Sequence, residues 1–198
     1  DLALESLAQA LIIYKEARGA DSAEVAASYI QIGGVLNQKG DLKGSFKAFS
    51  EALNIQRRTL GDEHPIVGAS FSNLGSILYQ QGDYKGALEH YNLALDQHKK
   101  VLGEEHSDTA GSYNNIGIAL KHTGDFEGAL VNCRKALEIR LRVHGAEHPD
   151  TAASHYSLGQ LLSEIGNFDE AVDEYRKAAA IQESVYGRES PITASSYN

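Results

Sequence analysis

The chain has 198 residues, 23% of them charged, and a formal net charge of −9. An acidic balance lacks the basic footprint that nucleic-acid binding needs, so no nucleic-acid partner is expected. No apolar run approaches the length needed to cross a bilayer, so no membrane insertion is expected either. The single cysteine, Cys133, cannot form an internal disulfide, in keeping with a reducing, cytoplasmic setting. Methionine is absent even at position 1, which predicts an internal fragment with any targeting signal outside it.

Self-similarity organises the rest. Cut before Gly19, Gly61, Gly103, Gly145 and Gly187, the chain falls into gapless register in units of 42 residues. Taken in order, residues 1–18 read as the second helix of a truncated repeat. Full repeats follow at 19–60, 61–102, 103–144 and 145–186, and 187–198 reads as the start of another; 1–198 is thus expected to be one array. Within 19–60, Gly40 separates two helices and Asp41 opens the second. In 61–102, Phe71, Leu74 and Leu78 share one face of a first helix. Gly82 ends that helix and Asp83 is the expected N-cap of the next. Tyr84, Ala87, Tyr91, Ala94 and Leu95 then form an apolar stripe, Lys99 and Lys100 complement the helix dipole, and Gly103 stops the helix. Gly124-Asp125 and Gly166-Asn167 repeat the break in the last two units. Gly33, Gly75, Gly117 and Gly159 align inside the first helices, where glycine costs roughly 1 kcal/mol against alanine. They predict a close helix approach, with Ala52, Ala94, Ala136 and Ala178 supplying the small surface opposite.

Glu63-His64, Glu105-His106 and Glu147-His148 resemble metal or proton-relay pairs, but their column argues otherwise. It reads Ser22, His64, His106, His148, Ser190, and the next holds Pro65, Pro149 and Pro191. Proline suits the first helical position and serine the N-cap before it. Serine is a poor zinc ligand, and stacked repeats cannot gather three joints around one ion. The histidines are therefore expected to cap helices, with no metal site. Cys133 shares a column with Phe49, Tyr91 and Tyr175 and reads as core. His155, in the slot of Tyr29, Phe71 and Tyr113, is expected to pack between helices with Tyr156 turned toward the groove. No Gly-rich strand–helix loop, Ser-His-Asp order or HExxH motif appears, so neither a cofactor nor a catalytic residue is expected and the chain is read as no enzyme.

Phe71-x2-Leu74-Gly75-x2-Leu78 with Ala87-x3-Tyr91 resembles the tetratricopeptide repeat, as does Tyr113-x2-Ile116-Gly117-x2-Leu120 with Ala129-x3-Cys133. The long unit and its His-Pro joint are similar to the kinesin light chain and nephrocystin-like class. The resemblance implies an all-α, right-handed superhelical solenoid of antiparallel helix pairs, with the first helix of each pair lining a concave groove. It also implies that first-helix asparagines grip the backbone of an extended peptide. Asn114-Asn115 match that feature and Asn73 matches half of it, while Gln31 and Ser157 stand in the other two repeats.

Helical spacing puts Gln31, Asn37 and Gln38, then Asn73, Tyr79 and Gln80, then Asn114, Asn115, Lys121 and His122, then Tyr156, Gln160 and Glu164 on that inner face. Amides donate and accept, so they can pair with a peptide backbone without demanding one sequence. The expected function is a non-enzymatic scaffold, similar to a kinesin light chain adaptor, that binds a protein or peptide partner, with shallow apolar pockets near Tyr79 and Tyr156. A regulatory or structural assembly module within a larger protein or complex is the alternative. Uncapped array ends leave self-association open.

Overall fold

The computed structural model describes residues 2–187. Among them the secondary structure is helical throughout, with no strand: α1 (Leu2–Arg18), α2 (Ala23–Gln38), α3 (Leu42–Leu60), α4 (Pro65–Gln80), α5 (Tyr84–Leu102), α6 (Ser107–Thr123), α7 (Phe126–His144), α8 (Pro149–Glu164) and α9 (Phe168–Tyr186). The further repeat expected at 187–198 lies, apart from Gly187, outside the described residues. So do Ser190 and Pro191 of the joint columns.

The chain forms two compact units, Asp1–Val101 and Leu102–Asn198. In the first, α1 packs on α2, α2 on α3 and α3 on α4. Its core joins Phe49, Leu53, Val67, Leu74 and Ile77, with Ile30, Leu42, Phe46 and Phe71 against them. A second cluster joins Val25, Ala26 and Ile55. In the other unit α6 packs on α7, α7 on α8 and α8 on α9. Cys133, Leu158, Leu161 and Leu162 form the centre of its core.

The breaks between helices follow from glycine. Gly82 and Gly124, at φ +80° and +84°, occupy the left-handed region that a Cβ disfavours. Their N–H groups donate to Tyr79 and to Leu120 and Lys121, satisfying carbonyls that the helix end would orphan. Seven further glycines of the same kind recur every 21 residues from Gly19 to Gly187.

The second helices start as expected in three repeats. The carboxylates of Asp41, Asp83 and Asp125 accept from the N–H of Gly44, Gly86 and Gly128 at 2.9, 3.0 and 2.9 Å. Asn167 does not follow: it makes no side-chain cap bond, and its amide donates to Glu170 at 2.8 Å. The third helical residue explains the change. A Cβ at Gly44, Gly86 or Gly128 would collide with the capping carboxylate, and the fourth repeat has Glu170 there.

The mid-helix glycines do mark close approaches, but not to the alanine column. A Cβ at Gly33 would stand 3.0 Å from the Phe49 ring, at Gly75 2.7 Å from Tyr91, at Gly159 2.9 Å from Tyr175 and at Gly117 2.5 Å from Cys133 Sγ. The missing side chain makes a flat slot for a ring; Ala52, Ala94, Ala136 and Ala178 are buried but are not among the atoms nearest these positions. Only at Gly117, where a thiol replaces the ring, are partner-helix backbone atoms among the nearest, with Ala129 O at 3.1 Å and Cys133 N at 3.3 Å.

Candidate peptide-binding face

The joints preceding α4, α6 and α8 resolve what the Glu-His pairs do. Nδ1 of His64, His106 and His148 accepts from the N–H of Ile66, Asp108 and Asp150 at 3.3, 3.1 and 3.1 Å. Ser22 Oγ accepts from Val25 at 3.3 Å in the same role. The acidic neighbours look the other way: Glu63 pairs with Lys100 and Glu105 with Arg142, both at 2.7 Å, as Asp21 does with Arg58 at 2.6 Å. Cap and ion pair thus divide the Glu63-His64 and Glu105-His106 pairs between two helices. Exposed ion pairs of this kind contribute about 0–1 kcal/mol.

Cys133 is buried, and that burial pushes its thiol up to about 11, against a smaller downward pull from Lys121. A thiol so placed is a core side chain rather than a nucleophile. His155 is buried too, and its Nδ1–H donates to Glu174 at 2.5 Å.

In the first unit, Gln31, Gln38, Asn73 and Gln80 are exposed on α2 and α4, and Asn37 and Tyr79 are half-buried. The Tyr79 ring meets Tyr84 edge to face at 5.4 Å. In the second unit, Asn114, Asn115 and Lys121 on α6 and Tyr156 on α8 are half-buried, with His122 and Gln160 exposed. Lys121 reaches Glu164 at 3.0 Å, which ties α6 to α8 on this face and neutralises its lysine. The Tyr156 ring packs against Tyr175 with centroids 5.5 Å apart. Two asparagine oxygens stand out: Oδ1 of Asn37 and of Asn114 are shielded and have no hydrogen-bond partner among the described residues.

A surface cavity of about 630 Å³ lies elsewhere, between Tyr113, Val131, Asn132, Arg134, Lys135 and Glu138. Its cations are already paired, Arg134 with Glu170 at 2.9 Å and Lys135 with Glu138 at 3.2 Å.

One recurring contact went unseen in the sequence. Ser28, Ser70, Ser112 and Ser154 are all buried. Ser70 Oγ donates to Gln56 Oε1 at 2.6 Å, and Arg140 Nη1 donates to Ser154 Oγ at 2.8 Å, so at these two a polar pin crosses from a second helix to the next first helix, whereas Ser28 Oγ donates to Glu24 O of its own helix at 2.8 Å. Their 42-residue recurrence was the available signal.

The tetratricopeptide repeat model matches residues 24–100, 68–130 and 108–184. The chain belongs to the tetratricopeptide repeat family. Solved structures agree on the fold. BtubC (BKLC) from P. vanneervenii has a TM-score of 0.80 at 25% identity, with 92% of this chain and 73% of that chain covered. A Podosopora anserina protein described by its kinesin light chain nearly identical TPR-like repeats has a TM-score of 0.77 at 22% identity, covering 92% and 86%. The apo form of RapI gives 0.76 at 22% identity, covering 92% and 65%. No curated protein matches the chain in sequence. The tetratricopeptide chain is thus an all-α repeat solenoid and a protein–protein interaction scaffold. Among its described residues no helix is long and apolar enough to cross a membrane.

Proposed function

We propose that this tetratricopeptide chain is a non-enzymatic scaffold that holds an extended segment of a partner protein against its first-of-pair helices, as an adaptor would. The observation that carries this reading is the pair of shielded, partnerless asparagine oxygens, Asn37 Oδ1 and Asn114 Oδ1. A shielded acceptor without a donor is costly to leave so; turning either amide outward exposes it to a peptide N–H, which supplies the missing bond. Asn115, Gln160 and His122 flank Asn114 in sequence or on the neighbouring α8, while Gln31, Gln38, Asn73 and Gln80 offer amides in the first unit. With Lys121 paired to Glu164, the α6–α8 face presents amides more than net charge, which favours backbone recognition over an acidic motif. The test is a peptide-array screen of wild type against Asn114→Ala/Asn115→Ala, with helicity followed by circular dichroism. Binding is expected to be lost with helicity retained; equal binding by the double variant refutes the proposal.

One observation favours the second reading, an assembly module. Ile13 on α1 is 61% exposed, whereas Ile55, its counterpart on α3, is 3% exposed. Ile12 and Leu2 on the same helix are exposed too. If this stripe drives self-association, sedimentation will show a mass that rises with concentration, and Ile12→Glu/Ile13→Glu will abolish the rise. A concentration-independent monomer removes this reading.

A further inference from the structure

The joint between α7 and α8 differs from its three predecessors. At the position of Arg18, Leu60 and Leu102 it carries His144, the last residue of α7. His144 and His148 stack with centroids 4.2 Å apart and planes 14° from parallel. Asp150 Oδ2 lies 3.6 Å from His144 Nε2 and 3.7 Å from His148 Nδ1. Donor atoms of all three residues lie within 4.8 Å of one another.

We propose that His144, His148 and Asp150 form a binding site for a zinc-class divalent cation. The donor types fit, since two imidazoles and a carboxylate suit a borderline ion and leave coordination positions for water. The distances are close to what is needed. Donors held 2.0–2.1 Å from a tetrahedral zinc stand about 3.3 Å apart, so each imidazole–carboxylate separation must close by only about 0.3–0.4 Å. The rings require a larger adjustment. Lone pairs of parallel imidazoles run side by side rather than converge, so binding turns His144 out of the stack. His144 can turn because it ends its helix and precedes Gly145, whose φ is +86°. The groups that lose a contact are half-buried: the Asp150 N–H, which donates to His148 Nδ1 at 3.1 Å, and Ser107 Oγ, 2.9 Å from His144 Nε2. Water can replace both contacts.

Charge around the site is mixed: Arg140 Nη1 donates to the Asp150 carbonyl at 3.0 Å and its charge acts on the Asp150 carboxylate, but the acid before the cap stands differently from its counterparts. The other three joints set a cation from the second helix, Arg58, Lys100 or Arg142, against the acid before the cap. In the fourth repeat that position is Ser184, so Glu147 adds negative charge beside His148 without a cation drawn from there. The site would clasp the end of α7 to the start of α8, making the rigidity of that joint depend on metal supply.

Isothermal titration of the whole chain with zinc alone tests this. One saturable equivalent is expected, weakened at least about tenfold by Asp150→Asn and by His144→Leu, the residue that stands at 60 and 102. His106→Ala, at a joint lacking the second imidazole, leaves binding intact. Circular dichroism confirms that each variant keeps its helicity; should His144→Leu lose it, Asp150→Asn decides alone. The proposal is overturned by no saturable uptake, by binding that Asp150→Asn leaves unchanged, or by His106→Ala weakening it equally.

Discussion

Gly117→Ala is expected to destabilise the second unit by about 2 kcal/mol, while Gly34→Ala in α2 stabilises the first by about 0.5–1 kcal/mol. Both replace a helical glycine with the best helix former, so propensity alone predicts two gains. Surroundings reverse the sign at one of them. Nothing lies within 4 Å of a Cβ at Gly34, whereas at Gly117 it would stand 2.5 Å from Cys133 Sγ, 3.1 Å from Ala129 O and 3.3 Å from Cys133 N. A side chain can turn aside, but those last two atoms belong to the backbone of α7. The helices must separate, and the core of Leu158, Leu161 and Leu162 that shares Cys133 loses contacts with them. Chemical denaturation of the two single variants reads the contrast directly. A stabilised Gly117→Ala would mean that α6 and α7 do not approach as described.

The contrast also marks what a sequence spells and what it leaves to packing. Helix ends are spelled locally: Gly82 ends a helix and Asp83 caps the next because each acts on backbone within a few residues. The joint histidines were legible for the same reason, since serine and proline in neighbouring columns name an N-terminus. Contacts between columns are not local. Spacing put the glycines inside helices, but nothing in it said that the facing residue was Phe49 or Tyr91 rather than the alanine three positions later. The inner face was legible as a set of positions, but how far each side chain is available was not. Tyr79 and Tyr156 share their rings with Tyr84 and Tyr175, and Lys121 spends its charge on Glu164. His144 was hidden because its column, Arg18, Leu60, Leu102 and Tyr186, repeats no chemistry.

His155→Tyr is expected to cost about 1–3 kcal/mol, and adding Glu174→Ala to recover most of it. His155 and Glu174 are buried together on α8 and α9, and Lys177 reaches the second carboxylate oxygen at 2.6 Å. Burial pushes the Glu174 carboxyl upward, but hydrogen bonds from Lys177 and His155, and their charges, more than offset it and hold the group below its ordinary value. Removing the imidazole leaves one buried carboxylate oxygen without its donor, which is costly even though Lys177 still pairs the charge. Tyr29 and Ala48 occupy the same two positions in the first repeat without a charge, so the double variant grafts a pair the fold already accommodates. The depressed carboxyl also sets the sign of a pH effect. Its stabilisation is present above the unfolded carboxyl's value and fades as pH falls through the lower folded one, so the wild type should lose this contribution in acid and the double variant should not. Denaturation midpoints of wild type, both single variants and the double variant, at neutral and acid pH, measure the coupling. Additive losses at neutral pH would show that the two residues do not act as a pair.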